Sequence, residues 1–383
     1  MTSRLTRALL FVVVAAVPVA AQQTPAGDLK GAFERLSAFD YATRTSAARV
    51  VRRTAPAEAV PALVQAARSH ADQFVRYRAL VLLTTFNDPG TSDLMRALLS
   101  DRNDRVREVA YRWFEQHPDR LLTPTLLSAL NTEQAEFVRP ALIRALAALD
   151  DNADVQRALL AEAGRGLDFF RSAVIEALGD HRAVYAIDAL ALVAVREGPL
   201  QDDAVLALGR IGERRAMSTL SSLTNPPLEV IPALQAAQCL LEDGCTTRIT
   251  VLADTSRSRA ASPESARAAV AALGAVAARG HDGATSALVA LAAGDTARLR
   301  DNVALALAEV ALRRPDHVIA WLGRASADVR TGAIDLLRDG FQRLEEDFAE
   351  EQFYAAARAA YWAAPDGSPT RTLMAGLIDR LEF

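Results

Sequence analysis

The residues through which this sequence could do chemistry are two cysteines, five histidines, a few paired carboxylates and a recurring arginine. Cys239 and Cys245 lie six apart with Gly244 between them. In an oxidising compartment they form a local disulfide across a helix end; otherwise Cys239 is buried and Cys245 free. No histidine is near enough in sequence to complete a metal site around them. His70, His117, His181, His281 and His317 are scattered at turns and helix ends, and none sits in a His-Glu-x-x-His phrase. Asp150-Asp151, Asp202-Asp203 and Glu345-Glu346 have the composition for acid–base work. At helix starts and turns, however, such pairs more often satisfy backbone amides and offset the helix dipole. Neither a Gly-rich phosphate loop nor a Gly-x-Ser-x-Gly elbow occurs. No cofactor, metal site or enzymatic activity is expected.

The arginines form a series: Arg76, Arg107, Arg139, Arg171, Arg300 and Arg330, each directly after an apolar residue, as in Val75-Arg76, Phe170-Arg171 and Val329-Arg330. Two roles are open. Projecting into a groove, they would form a ladder for carboxylate or phosphate groups. Paired instead with turn acids such as Asp72, Asp104 and Asp328, they would tie adjacent units together.

What must position these side chains is a repeat. Weaker copies of the phrase at Arg44, Gln201, Ile231 and Ala266 bring the anchors to ten, spaced by 30 to 35 residues. After each anchor, small and apolar residues fall three or four apart, as in Ala173, Ala177, Leu178 and Gly179, which is helical periodicity. A second apolar helix pattern lies between anchors, at 59–68, 93–99, 124–130, 155–161, 184–193, 284–292 and 318–322. Gly179-Asp180, Asp88-Pro89-Gly90, Asn225-Pro226-Pro227 and the stretch from Gly280 to Gly283 read as turns. Each unit is therefore helix, turn, helix, and one such pair buries only one of its sides until neighbours stack on it. Alanine and glycine on the ladder allow close helix approach. His117 and His181 each fall ten residues after their repeat's arginine but two repeats apart, ~20 Å at ordinary helix spacing. That is too far to share a metal, so they read as solvated turn histidines.

The Val-Arg start and Ala-Leu-Gly close resemble the HEAT-like repeats, in particular the short kind named for phycobilisome lyases; 170–179 and 204–212 match best. The resemblance covers about 44–338. It implies an all-α fold, a right-handed α-solenoid of about ten stacked helix-turn-helix repeats, and it leaves function open, because such stacks serve as scaffolds, adaptors and occasionally enzymes. Deoxyhypusine hydroxylase, an enzyme of this architecture, holds iron through repeated His-Glu pairs. Each histidine here is followed by another residue type, so that activity does not carry over.

The expected organisation is a signal peptide at 1–21, a capping helix within 22–40, repeats over 41–340 and a helical cap at 341–383. Basic Arg4 and Arg7, the apolar run 8–17 and small residues before Gln22 carry the first of these. The last combines Glu345, Glu346, Asp347, Glu350 and Glu351 with Phe348, Phe353, Tyr354, Tyr361 and Trp362. That composition fits either an acidic, aromatic docking surface or a cap with its acids in water. The run 254–262, with Thr255 to Arg259, reads as a polar loop before Pro263. Loss of Arg4 and Arg7 takes the formal charge from -4 to -6, and acids and bases are interspersed, unlike a nucleic-acid binder. Lys30 is the only lysine; arginine in place of lysine, with the alanine excess, suggests a GC-rich bacterial genome. The expectation is a periplasmic or secreted scaffold, with no membrane span in the mature chain, that binds a protein or peptide in a concave groove lined by the second helices. The alternative is a lyase-like chaperone or enzyme acting on a small molecule there, which requires a deep pocket with converging Asp, Arg and Trp113 side chains.

Overall fold

The structure, a computed structural model, describes residues 26–293 and 298–383. The leader expected at 1–21 lies outside the described residues. Twenty-two α-helices and three short 3-10 turns make up the regular structure among them. A first helix, α1 (Ala26–Arg35), precedes ten units. Their leading helices are α2 (Tyr41–Arg53), α4 (Gln73–Leu83), α6 (Asp104–Gln116), α8 (Arg139–Ala147), α10 (Asp168–Asp180), α12 (Gln201–Ile211), α14 (Ile231–Leu241), α16 (Pro263–Ala277), α18 (Arg300–Arg313) and α20 (Ala327–Leu344). All ten anchors fall in the first turn of one of these. Second helices follow as α3 (Pro56–Ser69), α5 (Thr91–Leu98), α7 (Thr123–Thr132), α9 (Ala153–Gly164), α11 (Ile187–Ala194), α13 (Met217–Ser222), α15 (Thr246–Arg257), α17 (Asp282–Ala290) and α19 (Pro315–Arg324). The chain ends on α21 (Asp347–Ala363) and α22 (Pro369–Arg380). The fold is an all-helical α-solenoid of stacked repeats.

Local chemistry starts these helices where the sequence asks. Asp72 accepts hydrogen bonds from the Phe74 and Val75 amides, Asn103 from Arg105, and Asn152 from Asp154 and Val155. Each satisfies amide groups that a helix leaves unpaired in its first turn. Leading helices stack on one another and are buried on more than one side, whereas the second helices bury a single stripe, such as Leu94, Met95 and Leu98 of α5. The leading layer comes close because its contact residues are small. A Cβ on Gly179 would lie 2.9 Å from the Ala207 Cα, and Gly209 meets Ala237 more tightly still.

Three local expectations change. Gly179 and Asp180 are the last residues of α10 rather than a turn. Thr255, Ser256 and Arg257 complete α15 instead of forming a loop. The Thr255 and Ser256 hydroxyls donate to the Val251 and Leu252 carbonyls, each at 2.9 Å, which lets these residues stay helical and Ser256 stay buried. The helical cap expected from 341 does not start as one unbroken helix: Glu345, with a φ of 51°, ends α20 before α21 begins.

The apolar interior forms two clusters that meet on α14. Val230, Leu234, Ala237 and Leu241 belong to the first, and Ala236 and Cys239 to the second. Cys239 is bridged to Cys245, with Cα atoms 4.8 Å apart, at this same seam. Phe348, from α21, belongs to the first cluster although most of its sequence neighbours belong to the second. The C-terminal segment has folded back onto the N-terminal repeats, and the stack closes on itself.

Candidate functional site

The arginine series sits on the edge where the leading helices begin, and its partners are fixed. The Arg76 Nε donates to the Ala67 carbonyl at 3.0 Å, and its guanidinium pairs with Asp101 in the following unit. Arg107 pairs with Glu133 at 2.7 and 2.8 Å, and Arg139 reaches Glu162 at 3.4 Å. Arg171 and Arg330 hold the carbonyls of Ala163 and Leu322, while Arg300 takes Asp339 at 2.9 Å. Each thus ties its own helix to a neighbouring one. Asp72 caps α4, and Asp101, not Asp104, is the acid that Arg76 holds. Burial raises the Asp101 and Glu133 carboxyls, but the arginine hydrogen bonds outweigh it and hold both below their ordinary values.

Leading helices, rather than second helices, line the concave side, which is laced together. Arg144 of α8 joins Glu115 of α6 (2.9 Å) to Asp180 of α10 (3.0 Å), and Arg313 of α18 crosses to Asp180 at 3.0 Å and to Glu176. Burial pushes the Asp180 carboxyl up, yet Arg313, Arg210 and Arg144 together bring it down to about 2. His181 belongs here too, with Nε2 3.2 Å from Glu115. It is therefore not a solvated turn histidine, and the fold explains why: the turn that carries it faces inward. His117 instead stacks on Trp113 at 3.8 Å, so Trp113 is buried in the wall and does not converge with these acids. Beside the network lies a cavity of about 210 Å³ with Asp203 and Glu309 among alanines from α14, α16 and α18. Burial raises both carboxyls. Among the described residues no group of His, Cys, Asp and Glu could hold a metal ion.

The acids of 345–351 are engaged by the chain's own side chains, mostly arginines, rather than left free in water: Glu345 and Glu346 stay partly exposed, while Glu350 and Glu351 are buried. Glu345 pairs with Arg44 (3.0 Å), Glu346 with Arg112 (2.7 Å), Asp347 with Arg78 (3.2 Å) and Glu351 with Arg52 (3.0 and 3.1 Å). The acidic, aromatic surface read in the sequence does dock, but onto α2, α4 and α6 of its own chain. Buried Glu350 accepts from the Tyr41 hydroxyl at 3.2 Å, and its second oxygen has no partner. Its burial, reinforced by Asp347, raises the carboxyl to about 8 against the pull of Tyr41, Arg52 and Arg44.

A row missed in the sequence lies on the rim where the leading helices begin. Phe39 packs edge-on against Phe74, with centroids 6.0 Å apart. Arg105 lies over Phe74, Tyr77 and Phe137 at 5.9, 5.7 and 5.6 Å, and Arg139 lies over Phe170 at 4.1 Å. Phe39 is 88% exposed, Phe137 45%, Leu167 73% and Phe169 67%. The signal available was an aromatic one or two places from successive helix starts, a position at which a core residue is not required.

Residues 29–113 and 91–179 match the family of HEAT repeats. The first half of the stack therefore carries HEAT repeats. Similar solved structures include an engineered protein at 16% identity, over 93% of this chain and 99% of that one, with a TM-score of 0.31. Importin beta, at 13% identity and a TM-score of 0.39, is matched over 92% of this chain and 59% of its own length. Kap121p, solved bound to Ste12p, is matched at 12% identity over 92% of this chain and 45% of its own, with a TM-score of 0.31. No curated protein matches the sequence. No helix among the described residues is long and apolar enough to cross a membrane.

Proposed function

We propose that this HEAT-repeat protein is an exported scaffold that binds a protein or peptide partner along its rim, as an adaptor or assembly factor of the bacterial periplasm or exterior. The observation that carries the reading is the set of large apolar side chains left in solvent at helix starts along one rim: Phe39 before α2, Phe137 before α8, and Leu167 and Phe169 at the start of α10. Exposed apolar side chains gathered on one edge in this way mark an interaction site. The concave face supports the reading less well, because its charges already satisfy one another across the bend. Export rests on the leader composition at 1–21 and on the Cys239–Cys245 bridge, which suits an oxidising compartment.

A photo-reactive amino acid placed at Phe137, in the chain starting at Gln22 and returned to its own organism, is expected to capture a defined protein. The same group at Leu192, more open still on α11, is expected to capture none of it. Equal capture at both positions, or loss of no partner after Phe39→Ser with Phe169→Ser, overturns the reading. N-terminal sequencing of the exported protein is expected to begin at Gln22.

A further inference from the structure

Resting on that scaffold reading, we propose that the rim recognises an extended peptide segment whose central carboxylate is taken by Arg105 and whose flanking aromatic side chains lie on the rings around it. Arg105 is the unusual member of the rim. Through its guanidinium it makes no hydrogen bond or ion pair among the described residues, whereas Arg44, Arg76, Arg78, Arg107 and Arg139 are each held by a carboxylate. The carboxylate three places on, Glu108, is taken by Arg112 at 3.1 Å. The guanidinium carbon lies within 6 Å of the Phe74, Tyr77 and Phe137 rings while Arg105 as a whole stays exposed, so its N–H groups remain open to solvent. A stacked guanidinium is a pre-set fork for a planar carboxylate, and the rings that hold it also offer apolar contact on either side.

Charge complementarity selects a peptide over an anionic surface. Helix starts on both sides of Arg105 carry acids: Asp40 and Asp72 toward the N-terminal repeats, Glu136 and Asp168 toward the later ones. Asp40 and Asp72 cap helices but keep their charge at the rim, whereas Asp168 is already paired with Arg171, so the open negative charge lies mainly at Asp40, Asp72 and Glu136. A bilayer or nucleic acid would bring phosphates to all of these at once. A peptide with one acid at its centre, aromatic residues beside it and basic residues beyond meets each charge with its opposite.

The test uses the chain from Gln22 onward and two amidated, acetylated peptides. One has Phe-Glu-Phe at its centre with a lysine two places outside each phenylalanine; the other has Gln in place of Glu. The native protein is expected to prefer the Glu peptide by about tenfold, and Arg105→Met, whose circular dichroism and melting are checked, to lose the preference. A preference that survives Arg105→Met, or none in the native protein, overturns the assignment of Arg105. If neither peptide binds but the Phe137 cross-link is formed, the peptide chemistry is wrong and the scaffold stands; if the cross-link fails too, both fall. Stronger capture by phosphatidylserine vesicles than by either peptide would overturn the proposal in favour of a membrane.

Discussion

At the scale of single residues, the same pairing of arginine and carboxylate does different work according to burial. Glu133 is buried and Asp168 exposed. Arg107→Leu leaves Glu133 short of its partner and is expected to cost about 1–3 kcal/mol in denaturant unfolding. Arg171→Leu, which frees a solvated acid and releases the Ala163 carbonyl but strands no buried charge, is expected to cost less, about 1 kcal/mol. Glu350 contributes a pH dependence whose sign follows from its raised carboxyl. A carboxyl raised in the folded chain stays protonated while the unfolded chain releases the proton from about pH 4.5 upward, so its contribution to stability falls as pH rises and levels off above about 8. Glu350→Gln is expected to flatten that decline and to melt a few degrees above the native protein at pH 8.5 in a thermal scan. Asp180 acts in the opposite direction, with a contribution lost as pH falls below the ordinary range toward about 2. The arginine series was visible in the sequence as a pattern, but its partners were not. Asp101 and Glu133 lie 25 and 26 residues beyond their arginines, in the turn before the next leading helix, and the nearest turn acid, Asp72, is committed as a cap of α4.

Helices and their contacts were the most legible scale. A period near 32 residues placed all ten leading helices, because a repeat fails to bury its apolar face unless its neighbours keep the same phase. What escaped was the exact end of each element. At α10 a glycine read as a stop is a contact: Gly179 lies inside the helix so that α12 can approach. Gly209→Ala is accordingly expected to destabilise by about 1–3 kcal/mol, since its Cβ would press on the backbone of Ala237. Gly164→Ala, with open space around it in α9, is expected to be neutral or to stabilise by up to about 1 kcal/mol. Chemical denaturation of the pair isolates the packing effect from helix propensity.

Across the whole molecule, the closure was not legible at all, because no periodicity records which distant units meet. Arg52 and Glu351 are 299 residues apart in sequence and both are buried. Arg52→Glu is expected to open the closure and enlarge the radius of gyration in small-angle X-ray scattering. Adding Glu351→Arg is expected to restore the compact value in part, which an unfolding artefact would not do. An open array frays from its ends, and damage at one repeat is felt mainly by the next. Here the first repeats and the C-terminal helices reinforce each other, and among the described residues the other break in the apolar interior is on α14, beside the Cys239–Cys245 bridge. The protein is built like a bracelet: one catch made of charges and, far along the band, one place where it can bend. Unfastening the catch would let the two halves turn about the pinned joint only against the Arg313 pairs with Asp180 and Glu176, which span the bend, and would carry the Arg105 rim as one rigid piece.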